Sequence, residues 1–312
     1  MTLFLSESDV QLLLSPEAAV DAVEGSFLRL AAGSIEIAPR RRLNLEEGRL
    51  ADMAASDVEL GYACVKAYAG FAEGAAFLVA LFAVDRPELV ALIEADNLGR
   101  LRTGAASAVA AKYLAREGAA SLGVIGCGGQ AETQVACIRA AVPTIERVVA
   151  YCRTERNLRA FCKRVGAEPA ESNREAAEQD IVVTITTSRD PVLRGEWLQP
   201  GSLVCAVGAN NGASRELDNV VLERATFVCC DWKQQARLES ADLIEPIQQG
   251  VLDWLEVHEL HEVVSGELPG RQSPDDIAVF KSNGIASWDV AIAAAAVERA
   301  RERGVGTELV RA

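Results

Sequence analysis

Positive charge is in short supply in this sequence. Lysine and arginine number 31 against 45 acids, a formal net charge of −14. That balance argues against nucleic acid as a partner, because phosphate binding needs a basic footprint. Small anions stay open, since they need only a local basic pocket, and no long run of like charge marks an acidic tail. Apolar stretches long enough to span a bilayer without glycine or charge are missing, and Met1 to Val10 has no basic start of the kind that opens a secretion signal. The expectation is a cytoplasmic protein with no membrane partner. Eight cysteines are present, but no CxxC pair. Most lie in apolar runs (Cys64, Cys127, Cys137, Cys152, Cys205, Cys229 and Cys230) and are expected to be reduced core thiols. Neither a G-x-S-x-G elbow nor a G-K-[ST] loop occurs, which removes the main support for hydrolase and NTPase readings. Only two histidines exist, His258 and His261, set among Glu256, Glu259 and Glu262 on what reads as a helix. That spacing can bind metal, but no third ligand cluster accompanies it. A solvated acidic helix face, with no metal, is the expectation.

What is present has two regimes. Ser15-Pro16-Glu17 is a helix start, with a cap, a proline and an acid. Val20, Val23, Phe27 and Leu30 then follow at helical spacing until Gly33. Short runs rich in branched and aromatic residues come next, at Leu43–Leu45, Tyr62–Tyr68, Phe77–Ala83 and Leu89–Glu94. They read as a mostly antiparallel sheet. Thr103–Arg116 is an alanine-rich helix. From Ala120 strand-like runs alternate with helical ones, at Ser121–Ile125, Arg147–Cys152, Ile181–Thr186, Leu203–Val207 and Thr226–Cys230. That alternation signals a parallel sheet covered by helices. After Ile277–Ser282 a last alanine-rich helix runs from about Ile285 to Arg301.

The strongest motif is Leu122-Gly-Val-Ile-Gly126-Cys-Gly128-Gly129-Gln130-Ala131, a strand, a tight turn and a helix opening that fit G-x-G-x-x-A. Gly126 permits the turn, Gly128 lets backbone approach a pyrophosphate, and Ala131 takes the small position where helix meets strand. Alone the pattern is weak; with a strand before, a helix after and a second strand at the right distance it points to a dinucleotide. The second strand ends Tyr151-Cys152-Arg153-Thr154, with no acid for a ribose 2′-hydroxyl. Arg153 and Thr154 can instead hold a 2′-phosphate, so NADP(H) is favoured over NAD(H).

Three basic positions precede this motif: Arg40 in Pro39-Arg40-Arg41-Arg42, Lys66 in Ala63-Cys-Val-Lys-Ala-Tyr68, and Arg102 in Leu101-Arg-Thr-Gly-Ala105. Arg41 and Arg42 read as surface charges. A lysine inside an apolar strand is expensive to bury without an anion, and burial lowers its pKa enough to make it a proton donor or acceptor. For Lys66 the pattern leaves a structural ion pair and a functional role level.

The chain resembles the ornithine cyclodeaminase/mu-crystallin family over nearly its whole length. The resemblance rests on Pro39-Arg40 before Leu43-Asn-Leu45, Val65-Lys66, Leu101-Arg-Thr-Gly-Ala-Ala-Ser107 and Ile125-Gly-Cys-Gly-Gly-Gln130. It continues through Thr186-Thr-Ser-Arg-Asp-Pro-Val192, Ala206-Val-Gly-Ala209, Arg215-Glu-Leu-Asp218 and Phe280-Lys-Ser-Asn-Gly284. It implies an α/β protein: a Rossmann dinucleotide-binding domain (118–283) plus an α+β substrate-binding and dimerisation domain with a mostly antiparallel sheet (1–117, joined by the C-terminal helix, 284–312). It also implies a homodimer. By motif position Arg40, Lys66 and Arg102 would hold the carboxylate of a small anionic amino or imino acid. Thr103 and Gly104 would lie by the cofactor phosphates, Thr186, Thr187, Ser188, Val207, Gly208 and Ala209 would line the cofactor cleft, and Ser282 and Gly284 would lie near the nicotinamide.

Cyclodeaminases of the family carry an Asp, implicated in proton transfer, just after the Val-Gly-x stretch; this chain has Asn210. Asn cannot act as a carboxylate base. The expectation is therefore an NADPH-dependent reductase of a cyclic ketimine carboxylate such as Δ1-pyrroline-2-carboxylate, with Lys66 or a water supplying the proton. Ornithine cyclodeamination, an alanine-type amino-acid dehydrogenase and a non-catalytic mu-crystallin-like binding protein are the alternatives.

Overall fold

The computed structural model describes residues 1–309. The chain divides into two compact units, one formed by Met1–Arg102 with the chain from Ile285 onward, the other by Thr103–Gly284. The sequence reading sets the first boundary at 117. The structure sets it inside a helix, for a reason visible at Gly104: an added Cβ there would lie 2.4 Å from the Thr133 carbonyl oxygen, so this part of the helix packs backbone to backbone within the second unit. The last three residues of the span 284–312 lie outside the described residues.

The first unit holds β1 (Thr2–Leu5), α1 (Glu7–Leu13), α2 (Pro16–Ala31), β2 (Ile35–Asn44), β3 (Gly48–Asp57), β4 (Tyr62–Phe71), β5 (Gly74–Ala83), β6 (Leu89–Glu94) and the start of α3 (Asp96–Leu114). Ser6 and Ser15 cap the first two helices, and Pro16 opens the second. The sheet runs from a C-terminal strand (Thr307–Leu309) through β1, β6, β5, β4 and β3 to β2. It is antiparallel except where β1 meets β6. Strand period two sends alternate residues to opposite faces. Met53, Lys66, Val79 and Ile93 are register partners on the buried face. The C-terminal helix (Ala286–Arg303) packs across that face and against α2, where Trp288 meets Phe27 edge-on at 5.5 Å. On the opposite face Leu50, Val65, Leu78 and Phe82 remain exposed.

One irregularity sets the site. The pairing of β2 with β3 shifts between Ala38 and Arg41, so one extra residue sits on β2. Such a bulge re-aims side chains, and Pro39 suits it because it has no N–H to give to a ladder. Arg40 is buried, while Arg41 is exposed and pairs with Asp52 at 2.7 Å.

The second unit begins with the rest of α3 and continues through β7 (Ser121–Ile125), α4 (Ala131–Ala141), β8 (Arg147–Tyr151), α5 (Glu155–Val165), β9 (Glu168–Pro169), α6 (Asn173–Ala177) and β10 (Ile181–Thr184). It ends with β11 (Leu203–Ala206), α7 (Asn219–Arg224), β12 (Phe227–Cys230), α8 (Lys233–Glu239), α9 (Ala241–Gln248), β13 (Val257–Glu259), α10 (Leu260–Val264) and β14 (Ala278–Lys281). The sheet is parallel throughout, in the order β13-β12-β14-β11-β10-β7-β8-β9. Its central strands are buried on both faces, which is why they read as unbroken apolar runs. Chain order reverses between β7 and β10, and the carboxyl ends of strands at such a switch point form a ligand crevice. The histidines differ from expectation: His258 lies on β13, stacked on Phe227 at 5.1 Å, and only His261 is helical, on α10. Pairing of β13 with β12 outweighs the helix-like spacing of the glutamates. Among the described residues no helix is long and apolar enough to cross a membrane.

Candidate active site

The glycine turn after β7 is built as the motif demands. Gly126 has φ +112°, and a Cβ there would lie 2.3 Å from the Ile185 carbonyl oxygen. A side chain is therefore barred by both conformation and space. At Gly128 an added Cβ would meet nothing within 4 Å, leaving the side on which a pyrophosphate can approach backbone. Gly129 and Gln130 lead into α4, and Ala131, its first residue, is fully buried. Gln130 makes no side-chain cap at the start of α4, and the positive end of a helix dipole favours an anion there. A cleft with a volume of ≈ 260 Å³ opens here, bounded by Gly126 and Gly128, by Arg153 and Thr154 beyond β8, and by Thr186, Thr187 and Ser188 beyond β10. Arg153 and Thr154 are exposed in it, and the tip of β8 carries no acid. These residues fit a dinucleotide.

Buried charges brace the loops at the carboxyl ends of β10, β11 and β14. The Glu216 carboxylate accepts from the Thr186 amide (2.7 Å), the Thr186 hydroxyl (2.8 Å), the Thr184 hydroxyl (3.0 Å), the Gly208 amide (2.7 Å) and the Ala209 amide (3.2 Å). It thus ties the loop of Thr186–Ser188 to that of Val207–Ala209. Burial pushes its carboxyl up, against the nearby Lys281 charge and the Thr186 hydrogen bonds, which lower it. Lys281 donates to the Ala209 carbonyl at 2.5 Å and pairs with Asp242 at 3.1 Å. Asp242 in turn accepts from the amides of Glu216 (2.8 Å) and Leu217 (2.9 Å). Asp231 does the same for the third loop, accepting from the Asn283 and Gly284 amides at 2.6 Å each. Burial raises its carboxyl to about 6, with those amides opposing the rise.

In the first unit, Lys66 from β4, Arg40 from the bulge in β2 and Arg102 from α3 form a buried cation cluster, 2 %, 7 % and 8 % exposed. Asp289 of the C-terminal helix faces them. Lys66 Nζ donates to its Oδ1 at 2.8 Å, and Arg102 Nε lies 3.5 Å from the same oxygen. Arg102 also lies over the Trp288 ring at 5.5 Å. Burial pushes the Lys66 ammonium down; Asp289 opposes this, and Arg102 and Arg40 add to it. Three buried cations thus gather beside Asp289, in surroundings where charge must be paired.

The sequence profile of the ornithine cyclodeaminase/mu-crystallin family matches residues 1–304. The chain belongs to that family. Alanine dehydrogenase of Archaeoglobus fulgidus is 35% identical over 323 residues, covering 99% of this chain and 98% of that protein. The structure of Thermococcus litoralis Δ1-pyrroline-2-carboxylate reductase, in complex with NADH and L-proline, aligns with a TM-score of 0.94 at 33% identity, covering 99% of this chain and 100% of that one. A dimeric archaeal alanine dehydrogenase with bound NAD aligns with a TM-score of 0.92 at 33% identity, over 99% of each chain.

Within this family member the residues named from sequence fall into separate groups. Arg40, Lys66 and Arg102 converge on one cluster. Gly126, Gly128, Arg153, Thr154, Thr186, Thr187 and Ser188 share the cleft. Val207, Gly208, Ala209, Ser282 and Gly284 lie on the braced loops rather than among the cleft-lining residues, and Asn210 follows them, half-buried. Thr103 is buried on α3 and does not line the cleft. Sequence reasoning missed Asp289, Glu216, Asp242 and Lys281. A signal exists for two of them: Lys281 closes an apolar strand and Asp289 interrupts an alanine-rich helix, the same lone charge in apolar surroundings that singles out Lys66.

Proposed function

We propose that the chain is an NAD(P)H-dependent oxidoreductase that reduces the C=N bond of a small imino acid to the amino acid, with a cyclic ketimine carboxylate such as Δ1-pyrroline-2-carboxylate as substrate. The observation that carries this is the convergence of three buried cations, Arg40, Lys66 and Arg102, beside Asp289. It suits a substrate carboxylate. Two guanidinium groups fix such an anion in orientation as well as position, and positioning is a large part of the rate gain in a reaction of this kind.

Gly126, Gly128, Gly129, Gln130 and Ala131 would hold the cofactor pyrophosphate, with Thr103 behind them. The loops of Thr186–Ser188 and Val207–Ala209, with Ser282 and Gly284, would hold its remainder. A bound nicotinamide cofactor supplies the hydride for a two-electron reduction. Lys66 supplies the proton that the substrate nitrogen requires. Arg153 and Thr154, exposed in the cleft beside a strand tip without an acid, support NADP(H) over NAD(H), although the compared structures hold NADH and NAD. Asn210 supports imine reduction over cyclodeamination, because it offers no carboxylate base. The apolar outer face of the first unit's sheet supports a homodimer. We place the enzyme in the cytoplasm, where its eight cysteines, all free, stay reduced.

The test is direct. Purified protein with NADPH and Δ1-pyrroline-2-carboxylate should oxidise the cofactor and form proline. Absence of oxidation above a control without substrate, with NADPH and with NADH, overturns the reading.

A further inference from the structure

We propose that Asp289 is the positioning residue for Lys66: its carboxylate fixes the ammonium in place and keeps it protonated among the cations that bind the substrate carboxylate. The geometry comes first. Lys66 Nζ and Arg102 Nε both address Oδ1 of Asp289, at 2.8 and 3.5 Å, and the Asp289 side chain is 0 % exposed. Its other oxygen, Oδ2, is buried with no hydrogen-bond partner among the described residues. The charged groups facing Lys66 are Asp289 from the C-terminal helix, Arg102 from α3 and Arg40 from β2. On β4 itself the ionisable neighbours at period two are the Cys64 thiol, which burial holds protonated, and the Tyr68 phenol, stacked on Phe77. Met53 of β3 and Phe77 of β5 bring no charge. Asp289 is therefore the one group in this set that favours the charged lysine. Burial and both arginines work against it.

The consequence rests on the reading given under the proposed function. Adding hydride to the carbon of C=N leaves the nitrogen in need of a proton. A Lys66 N–H bond breaks as an N–H bond forms on substrate, and water returns the proton to Lys66. Asp289 acts on this exchange only through Lys66, to which it is hydrogen-bonded. It sets the pH above which Lys66 can no longer take part.

The experiment compares wild type with Asp289→Asn, reading kcat for imine reduction and, separately, the affinity for pyrrole-2-carboxylate by calorimetry, each as a function of pH. An opposite charge at this distance moves a pKa by about one to three units. The alkaline limb of both profiles should therefore move down by about one pH unit or more in Asp289→Asn, with the KM for NADPH unchanged. Asp289→Glu should restore the position of the limb. Gly99→Ala provides a second perturbation that leaves the charge in place. Its Cβ would stand 3.0 Å from Lys66 Nζ, and by displacing the ammonium it should move the limb in the same direction, whether or not Asp289→Asn folds. Profiles that superpose on wild type after scaling, in Asp289→Asn and Gly99→Ala alike, overturn the inference. If wild type reduces no imine, the functional reading fails instead, and the calorimetric profiles still decide the role of Asp289.

Discussion

Replacing Glu216 with alanine removes the acceptor on which two loops at the cofactor side converge. The backbone amides of Thr186 and Ala209 lose their partner, together with the hydroxyls of Thr184 and Thr186, and the Gly208 amide keeps only its longer bond to the Thr184 carbonyl at 3.2 Å. The hydroxyls can rotate to other acceptors, but the amides cannot. Each orphaned buried donor costs about 1–3 kcal/mol. Water entering the space left by the side chain recovers part of this, and so does relief from burying a carboxyl whose own ionisation is disfavoured there. A net loss of roughly 2–4 kcal/mol follows, within the about 5–15 kcal/mol by which domains are stable. The variant should fold, with the urea midpoint of the second unit lowered. Its affinity for NADPH, measured by calorimetry, should fall about tenfold or more, because ordering both loops becomes part of binding. Pyrrole-2-carboxylate binding, which the proposed function assigns to the first unit, should be unchanged. A variant with wild-type midpoint and wild-type NADPH affinity would falsify the view that Glu216 braces these loops.

Other perturbations test separate parts of the molecule. Arg153→Ala should raise the KM for NADPH about tenfold, the worth of a charge-assisted hydrogen bond, and leave that for NADH nearly unchanged; equal effects on both would remove the case for a 2′-phosphate contact. Asp231 titrates near 6 in the folded protein against an ordinary 3.8. Its contribution to stability is therefore fully present below pH 3.8 and fades as pH rises through 6, by about 3 kcal/mol. The stability of wild type relative to Asp231→Asn, from urea unfolding between about pH 4 and 7, should fall as pH rises, and a constant difference would contradict the assignment. If the outer sheet face makes the proposed homodimer, Leu78→Asp with Phe82→Asp should turn a wild-type dimer into monomers by light scattering with the fold intact; a persistent dimer would point to another interface.

The second unit was largely legible because its signals are local. A buried parallel strand is a continuous apolar run, and the turn at Gly126 needs glycine for reasons confined to a few residues. The first unit was less so. β1 went unseen, and β3 is built from Gly-Arg-Leu-Ala-Asp-Met-Ala-Ala-Ser-Asp, too small and polar to announce a strand. Pairing with β2 on one side and β4 on the other imposes its conformation. The bulge that buries Arg40 is likewise a property of two strands in register. Lys66 could be read as a buried lysine in want of an anion, but not who supplies it, since Asp289 lies more than two hundred residues further on. Glu216, Asp242 and Lys281 pose the same difficulty, because each finds its partner only once the parallel sheet has formed.

The route of the chain gives the pairing of Lys66 with Asp289 a temporal meaning. The second unit is inserted between β6 and the C-terminal helix of the first. During synthesis on the ribosome the whole dinucleotide-binding half emerges, and can fold as a unit, before the helix bearing Trp288 and Asp289 exists. Until then β4 holds Lys66 with no carboxylate beside it, and the inner face of the sheet lacks its cover. A nascent chain stopped after the second unit should therefore bind the dinucleotide while its anion site is unmade. On the function proposed above, the order of synthesis makes substrate binding the last property to be acquired.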